Sequence, residues 1–483
     1  MIFSINNIGI IKRADVKVDG LTVISGTNNS GKTTVGKALY SVVSATEDLG
    51  KKKQLDMAEA VYNRIRTITE SYPALMRFYE NVRWRDDFQE ESESDLVERI
   101  YYIGRVSYRG QESLNYYIDL LREFYQAVKN NTFLSLAMED INNVEKLSEE
   151  SLEVINTEWI ECKESVVKQC ESALSFISSI PSTEEFAFRM IDSTLREEFS
   201  GQVQSMTVTN QVEDKSSLRL YDEGGKEYFN IYLDNHSVDA ETSVFNEGYF
   251  KKGYFVDDPY IIEDSMRRTP SLMNRNRIGM SYTESTVVPH RIKMNRWLKR
   301  NIREERGISE SLYKDKQIAD VMEKINSIVP GNILGDTYVN DGRKIKVSNL
   351  ATGSKVFSII KNILGKGNID EESLLVLDEP ESHLHPKWIN ALAEVLVLLV
   401  KECNITVLLT THSPNFLLAI DALMRKYNIC EKCHFYQTQQ IESDFRVEYI
   451  EKTDELDEVY IEYARAFSKM NAMRKYYMEL EED

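Results

Sequence analysis

"GTNNSGKTT", residues 26–34, decides how this chain is read. It follows the apolar run Leu21-Thr22-Val23-Ile24-Ser25 and leads into "VGKALYSVV". Gly26, Gly31, Lys32 and Thr33 meet the spacing G-x-x-x-x-G-K-[ST], with a strand before and a helix after. Glycines are needed because the backbone must turn sharply and bring its N–H groups against phosphate oxygens. Asn28, Asn29, Ser30 and Thr34 fill out the cradle. Lys32 would reach the β- and γ-phosphates, and Thr33 would offer its hydroxyl to Mg²⁺. The helix beginning here aims its positive end at the anion. Val35, Ala38, Leu39 and Val42 share one face of it, suited to packing on a sheet.

An ATP site also needs a carboxylate for the metal and a group that polarises water. "SLLVLDEPESHLHP", residues 373–386, supplies both. Leu374-Leu375-Val376-Leu377 is a continuous apolar run, as expected of a strand buried on both faces. Asp378 ends it and would hold Mg²⁺; Glu379 would polarise the attacking water. A helical stretch, "WINALAEVLVLLVKE", and a second buried strand, "ITVLLTT", follow. His412 stands at the C-terminal end of that strand, the edge where open parallel sheets bind ligands. It would sense or orient the γ-phosphate, or else belong to the cap of the helix opened by Ser413-Pro414.

The 483 residues hold 59 Lys and Arg against 78 Asp and Glu, a net charge of −19. That charge repels phosphate and excludes indiscriminate coating of nucleic acid or anionic membrane. No apolar run approaches the ~20 residues that span a bilayer. The first residues read as a strand rather than a signal peptide. Five scattered cysteines, an odd number, point to a reducing cytoplasm.

With "GTNNSGKTT", "NLATGSK", "LLVLDEPESHLHP" and "TTHSP" in hand, the chain resembles an ABC-type ATPase of the soluble RecF/SMC/OLD-like group. "HPKW" and "FYQTQQ" make it similar to stand-alone bacterial ATPases of the AAA family found in anti-phage defence loci. The resemblance covers about fifty N-terminal residues and a stretch from about 318 to 436. It implies an α/β P-loop NTPase fold: an ABC-type two-lobed ATPase core carrying a large, mainly helical insertion. It further implies ATP and Mg²⁺ as cofactors and a homodimer docked head to tail. In that dimer Thr352, Gly353 and Ser354 of one copy face the phosphate loop of the other. A helix starts there, with Val356, Ile359, Ile360 and Ile363 on one face, so its N–H groups would grip phosphate; a plain helix N-terminus is the bland alternative. The class has Leu-Ser-Gly-Gly-Gln or Leu-Ser-Ser-Gly-Glu-Lys; this chain has Leu350-Ala351-Thr352-Gly353-Ser354-Lys355, and Ala351 lacks the serine hydroxyl. No glutamine marks the usual loop beside the metal; Asp257 or Asp258 is placed there instead. The implied role is a switch for a separate effector, a nuclease or toxin, in anti-phage defence. The stretch after His412 holds no cluster of acidic metal ligands for effector chemistry of its own. The alternative role is a DNA repair or recombination ATPase.

The resemblance implies that residues 1–45 are the N-terminal part of lobe I, and the helical period marks 46–200 as a helical insertion. Residues 201–260 follow as the antiparallel part of lobe I, with a turn at Glu223-Gly224-Gly225. A basic helical linker (261–320), lobe II (321–440) and a strand and helix (441–483) complete the chain. "SLNYYIDLLREFYQAVKN" and "SLEVINTEWIECKESVVKQCESALSFISSI" carry the helical period without a sustained heptad. Residues 267–306 hold eleven basic side chains against three acidic ones. They offer a nucleic-acid contact, or a face that pairs with acidic neighbours. "CEKCH", residues 430–434, lacks a second cysteine pair for zinc and reads as structural.

Overall fold

Three short strands open the chain. β1 (Ile2–Ile8) is buried at five of its seven positions, and β2 (Ile11–Lys17) alternates between buried and more exposed ones, as a half-covered antiparallel strand does. β3 (Leu21–Ser25) is buried at all five positions. The computed structural model describes residues 1–77, 96–105, 108, 110, 112–144, 147–205, 215–263, 287–299, 308–366, 369–441 and 445–482. These fall into two compact units, one of residues 1–47, 187–263 and 287–482, the other of residues 48–186.

The first unit is built on one twelve-stranded sheet. Its parallel half has β3 flanked by β13 (Thr406–Thr411) and β14 (Cys433–Gln440). β12 (Ser373–Asp378) lies beyond β13, and β8 (Lys252–Val256) forms the edge. Parallel neighbours need crossovers, and helices supply them. α1 (Lys32–Thr46) follows β3 and packs over β8, β12 and β13. After β12 and β13 come two further helices, Pro386–Cys403 and Pro414–Tyr427. The former is buried at every position from Val395 to Val400, which marks an interior helix.

The antiparallel half runs β1–β2, β1–β4 (Ser216–Tyr221) and β4–β5 (Glu227–Asp234). The β4–β5 turn contains Gly224 and Gly225, the latter at φ 85°. β15 (Val447–Glu451) joins the halves, antiparallel to β14 and parallel to β2. The alternation read at 202–210 yields only an isolated bridge from Gln204 to Ile8, and 206–214 lie outside the described residues. Residues 203–205 run antiparallel beside the end of β1, where the Ser205 N–H donates to Asn7 O at 3.3 Å and the Gly9 N–H to Val203 O at 2.9 Å.

A separate meander of three strands, β9 (Asn332–Leu334), β10 (Thr337–Asn340) and β11 (Arg343–Lys346), precedes a helix at Thr352–Lys366. A helix of 27 residues, Leu456–Glu482, follows β15.

The second unit is helical, with spans Leu49–Thr69, Leu96–Arg105, Leu114–Lys129, Thr132–Val144 and Glu149–Ser178. Ser113 and Ser148 cap two of them through their hydroxyls. Its core is aromatic: Phe133 stacks on Trp159 at 5.5 Å, and Tyr72 meets the same indole edge-on at 5.6 Å.

Candidate functional site

The loop between β3 and α1 turns through two left-handed residues, Asn29 (φ 61°) and Gly31 (φ 74°). The Lys32 ammonium bonds the carbonyls of Gly26 (3.0 Å) and Thr27 (2.8 Å), curling the loop around it. Thr27, Asn28 and Asn29 are exposed, whereas Ser30 is buried and donates to the Thr27 carbonyl at 2.7 Å. Thr34 returns its backbone N–H to Gly31. α1 has no side-chain cap and no acidic residue in its first turn. Its first two N–H groups, of Lys32 and Thr33, therefore face no side-chain cap and suit an anion.

Thr33 Oγ1 donates to Asp378 Oδ2 at 2.8 Å. Gly36 permits this meeting: a Cβ there would stand 2.6 Å from Val376 Cγ1, so α1 lies directly on β12. Thr410, the partner of Asp378 across β12–β13, hydrogen-bonds its other carboxylate oxygen. Glu379 adopts a left-handed backbone (φ 45°), held by its N–H bond to Thr410 O at 3.1 Å. Its side chain lies 3.4 Å from Lys32 Nζ and 3.0 Å from His412 Nδ1. The structure thus brings Lys32, Thr33, Asp378, Glu379 and His412 together. Glu381 is buried beneath them and accepts from Thr411, whose Oγ1 in turn accepts the Ser413 N–H at 3.0 Å. This lacing steadies the turn that carries His412.

Burial pushes the Asp378 carboxyl up, against the bonds from Thr410 and Thr33, and the charges of Glu379 and Asp257 add to the push. A hydroxyl and a desolvated carboxylate are hard oxygen donors that suit Mg²⁺, and a dication beside them offsets the cost of burying the charge. Residues Thr33 and Asp378 fit that ion.

Thr352, Gly353 and Ser354 open the helix at Thr352–Lys366. Thr352 Oγ1 is 3.0 Å from the Tyr260 hydroxyl, and a Cβ on Gly353 would stand 2.6 Å from the Trp388 ring. Among the described residues no hydrogen bond or ion pair joins 352–354 to the loop 26–34. Asp258 lines the same small cleft as Asp378. Asp257 instead lies 3.1 Å from His290 Nε2 and near Arg291.

Of the basic run, only residues 287–299 are described. There Arg291 pairs with Asp258, Lys293 with Glu47 and Lys299 with Asp336. In "CEKCH", Cys433 is buried and its thiol pushed up to about 12 by desolvation. His434 bonds Asp19 at 2.5 Å. No cluster able to hold a metal through three or more His, Cys, Asp or Glu occurs among the described residues. Among them, too, no helix is long and apolar enough to cross a membrane.

Sequence reasoning missed Thr410, Thr438, Tyr449 and Tyr260, none of which sits in a recognisable spacing. The β-branched run "ITVLLTT" held the one available signal, since Thr410 stands near the C-terminal end of that strand, two residues before His412.

Fold and site together define a P-loop ATPase with an ABC-type two-lobed core and a large helical insertion. Residues 1–417 match the AAA ATPase domain family, and the chain belongs to it. Solved structures that it matches include an Smc head bound to the C-winged helix domain of ScpA. That pair is 11% identical over 93% of this chain and 96% of that one, with TM-score 0.32. The SMC head domain from Thermotoga maritima is 12% identical over 56% and 87%, with TM-score 0.25. An Smc head domain with an extended coiled coil, bound to the C-terminal domain of ScpA derived from Pyrococcus furiosus, is 9% identical over 96% and 98%, with TM-score 0.26.

Proposed function

We propose that this chain binds and hydrolyses ATP with Mg²⁺, docks head to tail with a second copy around the nucleotide, and so switches a separate effector in the cytoplasm. The observation that carries this reading is the continuous network Lys32–Glu379–His412 beside Thr33–Asp378. Lys32 is positioned to leave the loop carbonyls for phosphate oxygens. Glu379, freed from Lys32, keeps His412 and can polarise water. Thr33 and Asp378 would hold Mg²⁺, which supplies charge neutralisation on the phosphate oxygens. Among the described residues Thr352–Ser354 make no hydrogen bond or ion pair with their own loop, which suits a partner across an interface. Bacterial anti-phage defence is the role we assign to the switch, on its likeness to stand-alone defence ATPases.

A DNA repair ATPase is less well supported. Arg291, Lys293 and Lys299 of the basic run already face carboxylates at home.

Phosphate release and light-scattering mass of the full chain test the proposal. Glu379→Gln should convert to a mass-doubled, ATP-bound form with turnover lost. An unchanged mass with ATP would remove the docking step. Turnover that survives Lys32→Ala would remove the site. Turnover stimulated by DNA, with a steep salt dependence, would favour the repair reading.

A further inference from the structure

The outer side of the phosphate loop rests on a strand pair that lies beyond the residues matching the family. β14 runs parallel to β3 and sets Gln437 beside Ser25, so Thr438 emerges where the loop begins. β15 returns antiparallel and places Tyr449 directly opposite Thr438. Both hydroxyls turn to the loop. Thr438 Oγ1 lies 2.8 Å from Ser30 Oγ. Ser30 already donates its proton to the Thr27 carbonyl, which leaves Thr438 as the donor of the pair. Tyr449 donates to the Gly31 carbonyl at 2.9 Å across 418 positions of chain. The approach is close: a Cβ on Gly26 would stand 1.9 Å from Thr438 Oγ1.

These bonds set where the inner face of the loop points. In a planar trans peptide the N–H lies opposite the carbonyl. Anchoring the Gly31 carbonyl outward therefore fixes the direction of the Lys32 N–H, one of the groups offered to phosphate. Holding Ser30 against Thr27 likewise fixes the peptide that leads into Asn28. Burial, with the charge of Asp378 adding to it, pushes the Tyr449 phenol far up, so it remains a donor.

We infer that Thr438 and Tyr449 are positioning residues of the ATP site, holding the phosphate loop in its nucleotide-accepting shape before nucleotide arrives. This rests on the ATP-binding reading above. The competing account is that the two bonds support folding alone, with no effect on nucleotide.

The test uses the full chain with Tyr449→Phe, Thr438→Val and Thr438→Ser, titrated with a fluorescent ATP analogue and assayed for turnover. Each hydroxyl deletion should raise Kd and KM for ATP about 3- to 10-fold, the scale of one lost hydrogen bond. In both, kcat should stay within about two-fold and nucleotide-free unfolding within about 2 °C. Thr438→Ser keeps the hydroxyl and should keep the affinity. Unchanged affinity in Tyr449→Phe and Thr438→Val, with a wild-type chain that binds, overturns this inference and leaves the proposed function standing. So does Thr438→Ser losing as much affinity as Thr438→Val. That serine–valine pair decides the matter by itself if Tyr449→Phe does not fold. A wild-type chain that binds no ATP overturns the proposed function and this inference with it.

Discussion

Thr33 Oγ1 and Asp378 Oδ2 meet at 2.8 Å across 345 positions of chain. Strand adjacency does not bring them together, because β13 separates β3 from β12. The helix does. α1 leaves β3, crosses the sheet face and lies on β12 where Gly36 faces Val376. The metal site is therefore a consequence of helix packing as much as of the two motifs that name its residues.

Replacing either partner separates binding chemistry from folding. Thr33→Val keeps the shape and should lower Mg²⁺-dependent turnover about 100-fold or more. Asp378→Asn should abolish turnover too, yet raise the unfolding temperature of the nucleotide-free chain at pH 7 by roughly 2 °C. Its carboxyl is pushed up by burial, so the charged form weakens the folded state as pH rises above the usual carboxylate range. Phosphate release reads the turnover, and thermal unfolding with and without Mg²⁺ and ATP reads the stability. A persistent Mg²⁺-ATP shift in Asp378→Asn would contradict the assignment.

Gly36→Ala should push α1 off β12. The new methyl meets Val376 Cγ1, a fully buried side chain with little room to move. We expect a loss of about 1–3 kcal/mol in urea unfolding and a weaker Mg²⁺ dependence of turnover. Removing the obstacle in Gly36→Ala/Val376→Ala should recover part of the Mg²⁺ dependence. If the double variant is no better than the single, helix seating is not what aligns Thr33.

Sequence alone placed Lys32, Thr33, Asp378, Glu379 and His412 in one site because local spacing marks each of them. A glycine-rich turn, a strand-ending carboxylate and a strand-ending histidine are short-range signals. The helical character of residues 114–129 and 149–178 was legible for the same reason, from the three- and four-residue period. Long-range pairing left no such trace. "FYQTQQ" carries part of the resemblance, but nothing in it says that it lies beside β3 or that Thr438 touches Ser30. Gly36 reads as an ordinary helix glycine until Val376 is placed against it. The alternating pattern at 202–210 likewise does not name its neighbour, the end of β1, beside which residues 203–205 lie.

His290 links three segments and should give the fold a pH dependence. Its Nδ1 lies 2.7 Å from Glu198 and its Nε2 3.1 Å from Asp257, while Phe255 stacks on the ring and Arg291 stands by Asp257. Burial alone would lower the imidazole; Asp257 and Glu198 outweigh it and raise it. A raised imidazole contributes fully below about pH 6.5, where the unfolded chain is protonated too, and fades as pH climbs through the folded value. Urea midpoints should therefore fall from pH 6 to pH 9, and His290→Gln should flatten that slope. An identical slope in the variant would place the dependence elsewhere.

Ala351 is exposed, one residue before the helix that Thr352 begins, and Thr352 itself is tied to the Tyr260 hydroxyl at 3.0 Å. Ala351→Ser adds a hydroxyl at a helix start, a favourable capping position worth about 1 kcal/mol, so it should not destabilise the chain. If two copies dock around ATP, that hydroxyl faces the partner's phosphates. Turnover at saturating ATP should then rise several-fold and depend more steeply on protein concentration. ATP affinity measured on dilute, undocked chain should not change, because residues 352–354 make no hydrogen bond or ion pair with their own loop among the described residues. Turnover that rises equally at all protein concentrations would mean the added hydroxyl acts within one copy, and the head-to-tail arrangement would have to be given up.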